Sequence, residues 1–270
     1  MGTIGNGMTL NGYSLRVVPF NTPAPTPAPT TAPTPAPTTP APTLPSIVQT
    51  NLQLYYDAGK ASSITGSNVY DLSNNNKNGT LTAAGMYNSS INGGVFTFNG
   101  TNQILSTPYV LTASPSSSFT IQQAFYNTST YDIWNRGIFN AFLYPPGSGV
   151  YIGTQNINSP GQPGMHMYTG GNTLTSIGTT STFTTNTWYI LTAVATNTSV
   201  TVYLNGNTTA LATSSTGASG NTLALSIGRS GYDTDYWLGY IGNTLVYNRA
   251  LSTTEITQNY NALKGRFGLT

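Results

Sequence analysis

The side chains able to move protons or hold metals are few: six acids, one histidine and no cysteine in 270 residues. Enzymatic cleavage of a glycosidic bond needs two carboxyl groups roughly 5–9.5 Å apart, one as acid and one as nucleophile or base. The sole glutamate, Glu255, stands three positions after Ser252, which assigns it to a helix cap rather than to catalysis. Among Asp57, Asp71, Asp132, Asp233 and Asp235, only the last two are close in sequence. Their context, Gly231-Tyr-Asp-Thr-Asp-Tyr236, reads as a loop, so the two are not expected to face a substrate from one strand. His166 is the only histidine, and no G-x-S-x-G elbow accompanies it. A nucleophilic triad is therefore not expected. Without cysteines and with one histidine, neither is a zinc site. The chain is expected not to be an enzyme.

Binding chemistry is better represented. Carbohydrate contact uses aromatic rings beside amide or carboxylate oxygens that fix the hydroxyls. Tyr232, Asp233, Asp235 and Tyr236 form one such cluster, next to Trp237, and Tyr131 and Asp132, next to Trp134 and Asn135, form a second. The three tryptophans themselves read as core residues, so the loop tyrosines are the better ligand candidates. No cofactor is certain; the one worth testing is calcium, which takes carboxylate and carbonyl oxygens. Asp233 and Asp235 are one candidate pair for it. Asp71, beside Asn74–Asn76, is the other candidate, although at Asp57 and Asp71 a side-chain-capped turn is the preferred reading.

Composition narrows the partners. Only 5% of residues are charged, against roughly 25% in ordinary globular proteins. The net charge is +2, and the basic residues are scattered from Arg16 to Arg266. No nucleic-acid partner is expected, because phosphate binding needs a basic face. No apolar run reaches the ~20 residues of a membrane-spanning helix, and Met1–Phe20 does not read as a signal peptide. Low charge with abundant Asn, Thr, Ser and Gly suits a surface that meets neutral glycans.

Three segments position these residues. Residues 1–20 are too short to fold alone and are expected to be extended. They read either as a frayed terminus or as a docking segment whose Ile4, Met8, Leu10, Tyr13, Leu15 and Val17 would add to a partner's sheet edge; the second is the expectation carried forward. Residues 21–45 are rich in Pro, Thr and Ala. Proline excludes both helix and sheet ladder there, so a polyproline II stalk of roughly 70 Å is expected at about 3.1 Å per residue. Residues 46–270 carry alternating or β-branched apolar runs separated by Asn, Gly and Ser turns. Strands are predicted at 52–56, 95–98, 103–105, 119–126, 137–142, 150–153, 165–168, 188–196, 199–204, 223–228 and 238–247. This is an all-β sandwich pattern. One helix is signed by the box Ser252-Thr-Thr-Glu255, the staple Leu251/Ile256 and the face Ile256, Tyr260 and Leu263, with Gly265 placed to end it.

Several stretches, in order, resemble one family: Leu54-Tyr-Tyr-Asp-Ala-Gly59, Val69-Tyr-Asp-Leu-Ser-Asn-Asn75, Asn92-Gly-Gly-Val-Phe-Thr-Phe-Asn-Gly100, Asn186-Thr-Trp-Tyr189, Val202-Tyr-Leu-Asn-Gly206, Leu225-Ser-Ile-Gly228, Gly239-Tyr-Ile-Gly242 and Val246-Tyr-Asn-Arg-Ala-Leu-Ser252. They resemble the laminin-G-like, concanavalin A-like jelly rolls. The resemblance implies a jelly-roll sandwich of two antiparallel sheets with one short helix in the C-terminal region. The ending, Tyr247-Asn-Arg-Ala-Leu251 through Leu269, is similar to domains in structural proteins of marine phages and large algal viruses. That likeness implies a virion surface protein, a capsid decoration or fibre, exposed after host lysis. Residues 1–20 would bind a capsid or tail protein, the head would meet a host-surface glycan, and a homo-oligomer is allowed. The alternative is a stand-alone carbohydrate-binding or cell-surface adhesion module; a glycoside hydrolase ranks below both.

Overall fold

The computed structural model describes residues 9–10, 13–14, 46–111, 118–128, 136–143, 148–156, 163–169, 174–175, 184–215, 223–230 and 236–270. The chain divides into two compact units, Met1–Pro42 and Thr43–Thr270. In the first, strands β1 (Thr9–Leu10) and β2 (Tyr13–Ser14) pair antiparallel, Leu10 against Tyr13. The two residues between the strands, Asn11 and Gly12, are the pair that two-residue hairpin loops favour. Of the docking residues, Leu10 and Tyr13 lie in this hairpin; Ile4, Met8, Leu15, Val17 and the stalk 21–45 lie outside the described residues.

The second unit is a sandwich of two antiparallel sheets. Among the described residues, one sheet holds eight strands. These are β3 (Leu52–Asp57), β7 (Tyr87–Asn88), β8 (Val95–Asn99), β10 (Phe119–Asn127), β15 (Trp188–Ala195), β16 (Val200–Leu204), β17 (Ala212–Ser214) and β19 (Leu238–Tyr247). Their order is β17-β16-β15-β10-β19-β8-β7. β19 is long enough to pair with β8 through Leu238–Ile241 and with β3 through Asn243–Tyr247. The other sheet holds nine strands. These are β4 (Ile64–Thr65), β5 (Asn68–Val69), β6 (Gly79–Leu81), β9 (Leu105–Val110), β11 (Arg136–Leu143), β12 (Ser148–Asn156), β13 (Pro163–Thr169), β14 (Leu174–Thr175) and β18 (Ala224–Ile227). They run in the order β14-β13-β12-β11-β18-β9-β6-β5-β4.

The eight-stranded sheet is buried on both faces. Its inner face packs Phe96, Phe119, Phe125, Leu191, Trp237 and Ile241 against Phe139, Ile152 and Ile227 of the opposite sheet. Its outer face packs Ala124, Ile190, Leu245 and Tyr247 under α1 (Thr253–Leu263), which contributes Ile256, Tyr260 and Leu263. Burial on both sides is why Trp188-Tyr-Ile-Leu-Thr-Ala-Val-Ala195 reads as an apolar run interrupted only by Thr192, with every residue buried. One buried amide ties the layers: Gln123 Nε2 donates to the Ile138 carbonyl at 3.2 Å and to Thr244 Oγ1 at 2.9 Å.

The helix forms as its sequence dictates. The Ser252 hydroxyl accepts from the Glu255 N–H, and the Glu255 carboxylate accepts from the Ser252 N–H at 2.9 Å, a complete capping box. Its end differs from expectation. The chain continues through a 3-10 turn, Lys264–Phe267, and stops at Gly268, whose φ of 66° is left-handed. Gly265 lies inside that turn, because the apolar face extends to Phe267, whose ring packs on Trp188 at 4.5 Å. A second difference is β9, which starts where a strand was expected to end. It runs across Pro108 because a register shift against β18 leaves the proline without a ladder partner.

Candidate functional site

Along the chain, the two clusters read from sequence adjoin the end of β10 and the start of β19. β10 leaves the sheet at Asn127, which pairs with Gly239 near the start of β19. That pairing marks one end of the sandwich. Tyr131, Asp132, Tyr232, Asp233 and Asp235 lie outside the described residues, as does Trp134. Tyr236 is described: it is half-buried and bridges Arg229 through its backbone. Trp188 and Trp237 are core residues, Trp237 fully enclosed and edge-on to Phe125 at 5.8 Å. His166 pairs with Gly153 in the β12–β13 ladder.

The described carboxylates are committed to structure. Asp71 Oδ1 accepts from the N–H groups of Tyr55 (3.0 Å) and Ser73 (2.9 Å). Its Oδ2 accepts from the Ser73 hydroxyl (2.8 Å) and the Lys77 N–H (3.1 Å). Four protein donors reach the carboxylate, and its lone pairs organise residues 71–77 as a side-chain-capped turn does. Asp57 is buried. It accepts from the Gly59 N–H at 2.8 Å and the Tyr55 hydroxyl at 2.7 Å, and pairs with Arg266. Glu255 pairs with Arg249 at 2.6 Å, which holds its carboxyl well below the usual range, at about 2. Among the described residues no three His, Asp or Glu side chains come together to hold a metal ion.

A groove lies at the opposite end of the sandwich. Its volume is about 530 Å³, within the range of small-molecule sites. Gln53 comes from β3, Lys77 from the loop that Asp71 organises, and Pro108, Tyr109 and Val110 from β9, with Leu111 just beyond. Ser118 and Phe119 mark the start of β10, and Asn248 follows the end of β19. The nine residues of β10 separate this groove from the Asn127–Gly239 end by roughly 25–30 Å at ~3.3 Å per residue.

The strand ends hold the groove's polar groups in place. The Tyr56 hydroxyl donates to the Lys77 carbonyl, while the Lys77 N–H is held by Asp71, so both sides of that peptide are fixed. Asn75 Nδ2 donates to the carbonyls of Leu52 (2.9 Å) and Gln53 (3.2 Å), tying the loop to β3. The Asn248 N–H donates to the Asn51 carbonyl at 3.2 Å. Burial pushes the Tyr109 phenol up to about 12, so it stays protonated and can donate. The result is a cavity of two amides, two hydroxyls and one ammonium, with Pro108 and Leu111 as apolar wall. It can hydrogen-bond a polyhydroxylated ligand, and its described walls hold no carboxylate for proton transfer. Sequence reading missed it because its members come from five separate segments, each unremarkable alone. The visible signal was Asp71 beside Asn74–Asn76, which marked a built loop.

A family model for the concanavalin A-like lectin/glucanases superfamily matches residues 98–257. Similar solved structures share the fold. Domain 4 of AbnA, a GH43 extracellular arabinanase from Geobacillus stearothermophilus determined with arabinotriose, is 18% identical with a TM-score of 0.58; the match covers 78% of this chain and 98% of that one. The binding domain of Paraclostridial Mosquitocidal Protein 1 is 16% identical with a TM-score of 0.61, over 82% of this chain and 56% of that one. The binding domain of botulinum neurotoxin DC, solved with rat synaptotagmin II, is 14% identical with a TM-score of 0.60, over 80% and 52%. The chain thus spans about half the length of the two toxin domains. No curated protein sequence matches the chain.

Proposed function

The chain belongs to the concanavalin A-like lectin/glucanases superfamily, and from that premise we propose that it is a non-enzymatic carbohydrate-binding module. The observation that carries this reading is the groove at the strand ends, where amides and hydroxyls converge and the described walls carry no acid. Binding a sugar needs those groups; cleaving one needs the carboxyl pair. The arabinotriose bound to the arabinanase domain supports the same class of ligand for a fold of this kind. A glycan array probed with the full chain is expected to show binding to a defined set of oligosaccharides, with no release of new reducing ends on incubation. Turnover that is lost on changing Asp233 would overturn the non-enzymatic reading. Silence across the array would overturn the binding reading.

The segment order favours a second reading for where the module works. A hairpin-bearing segment, a proline-rich stretch and a sandwich, in that order, suit display of the head away from an anchoring assembly. In that reading the protein sits on a virion surface, residues 1–20 bind a capsid or tail protein, and the sandwich meets host glycans or decorates the shell. An isolated two-stranded hairpin is marginal in water, which supports a partner that completes it. Deleting residues 1–20 is expected to release the protein from purified particles. Retention, or a native protein that is free and monomeric, would sink this reading and leave carbohydrate binding standing.

A further inference from the structure

We infer that the groove takes a sugar carrying a negative charge, a carboxylate or a sulfate ester, held by Lys77; this rests on the carbohydrate-binding reading above. In a chain with 5% charged residues, a cation in a cavity wall is a specific feature. Two ion pairs occur among the described residues, Arg249–Glu255 and Arg266–Asp57, and Lys77 takes part in neither. The nearest acid in its own loop, Asp71, cannot serve as its counter-ion. Both Asp71 oxygens are filled by N–H and O–H donors, one of them the Lys77 backbone itself.

The geometry presents the ammonium rather than leaving it adrift. The Lys77 peptide is clamped by Asp71 on its N–H and by the Tyr56 hydroxyl on its carbonyl, so only the side chain must order when an anion binds. The residue is exposed and lines the groove beside Gln53, Ser118 and Asn248. Amides and hydroxyls there suit ring hydroxyls, Pro108 and Leu111 suit the C–H face of a sugar ring, and no described acid in the wall repels an anion. A neutral sugar could hydrogen-bond the ammonium but would leave its charge uncompensated, which a carboxylate or sulfate would not. The expectation of a neutral ligand, drawn from overall composition, is thereby refined at this groove.

The test uses calorimetric titration of the full chain with matched pairs of probes. These are oligogalacturonate against its methyl ester, sialyllactose against lactose, and a sulfated galactan oligomer against its desulfated form. Acidic members are expected to bind at least tenfold more tightly than their neutral counterparts, and the pairs that discriminate tell carboxylate from sulfate. Lys77→Met is expected to remove about tenfold or more of that affinity, since hydrogen bonds to charged groups are the strong ones. Lys77→Arg should keep most of it. Raising salt from low ionic strength to about 0.5 M should weaken acidic ligands alone. The Lys77 backbone contacts survive both substitutions, and thermal unfolding verifies that the fold is unchanged. Equal binding of acidic and neutral members, unaffected by Lys77→Met, overturns this inference and leaves the carbohydrate-binding function intact. Absence of binding by every probe and across the array overturns both.

Discussion

The Arg266 guanidinium, near the end of the chain, reaches Asp57 at the end of the first sandwich strand and closes the domain around itself. It pairs with the Asp57 carboxylate and donates to the carbonyls of Asn92 (2.9 Å), Gly94 and Gly242 (3.3 Å). The ion pair is largely buried, 18% and 5% exposed at the two side chains. Removing one member of a buried pair strands the other, at a cost of about 3–5 kcal/mol. Arg266→Met is therefore expected to lower unfolding free energy by about 3 kcal/mol, measured by urea titration. The Asp57→Asn, Arg266→Met double variant should recover part of the loss, because no charge is then left unpaired.

Glycines mark where this closure is tight. A Cβ on Gly242 would sit 2.4 Å from the Phe267 ring, and one on Gly59 would sit 2.6 Å from the Arg266 guanidinium carbon. Gly242→Ala should push Phe267 off Trp188, with a change in tryptophan fluorescence and a loss of about 1–3 kcal/mol. Gly59→Ala should mimic the Arg266 variant. Unchanged stability in either would show that the C-terminal turn yields without cost.

The helix cap sets an acid limit. Glu255 is held at about 2, first by its hydrogen bond from Arg249 and then by the Ser252 contacts. A carboxyl whose folded value is depressed stabilises above its unfolded value, near 4.5, and loses that contribution as pH falls toward 2. Thermal unfolding should show a decline across that window that is smaller in Glu255→Gln. At neutral pH the Gln variant should cost about 1 kcal/mol, the scale of a helix N-cap.

The alkaline limit has other owners. Burial pushes the phenols of Tyr109 and Tyr247 up to about 12, and those of Tyr55 and Tyr56 higher still. A phenol with a raised folded value contributes stability that is complete below pH 10 and fades as pH rises toward the folded value. Ultraviolet titration should find these four ionising only together with unfolding.

Much of the fold was readable in the residues. β19 was placed at its observed bounds because apolar, β-branched and aromatic residues recur from Leu238 to Tyr247 with only Gly239, Gly242 and Asn243 between them. The cap was readable because Ser252 and Glu255 interact locally. What escaped notice depends on partners distant in sequence. β9 crosses Pro108 because β9 itself bulges against β18 there, which no local pattern announces. Gly265 was credited with ending the helix because the destination of Phe267, a tryptophan on another strand, is invisible from the helix itself. The groove was missed for the same reason. Gln53, Lys77, Tyr109, Ser118 and Asn248 converge only after both sheets have formed, whereas the aromatic loops announced themselves as neighbours along the chain.

The way the domain closes also fixes when it can close. The Val48 N–H bonds Asn259, 211 residues away, and Asp57 meets Arg266 across 209. During synthesis the first strand emerges long before its partners exist, and β19, the strand that pairs with β3, β8 and β10 alike, comes nearly last. Loop closure over such spans is slow. The contacts that join the first strand to β19 and the helix therefore wait until nearly all of the head has been synthesised, and hairpins such as β15–β16 can precede them.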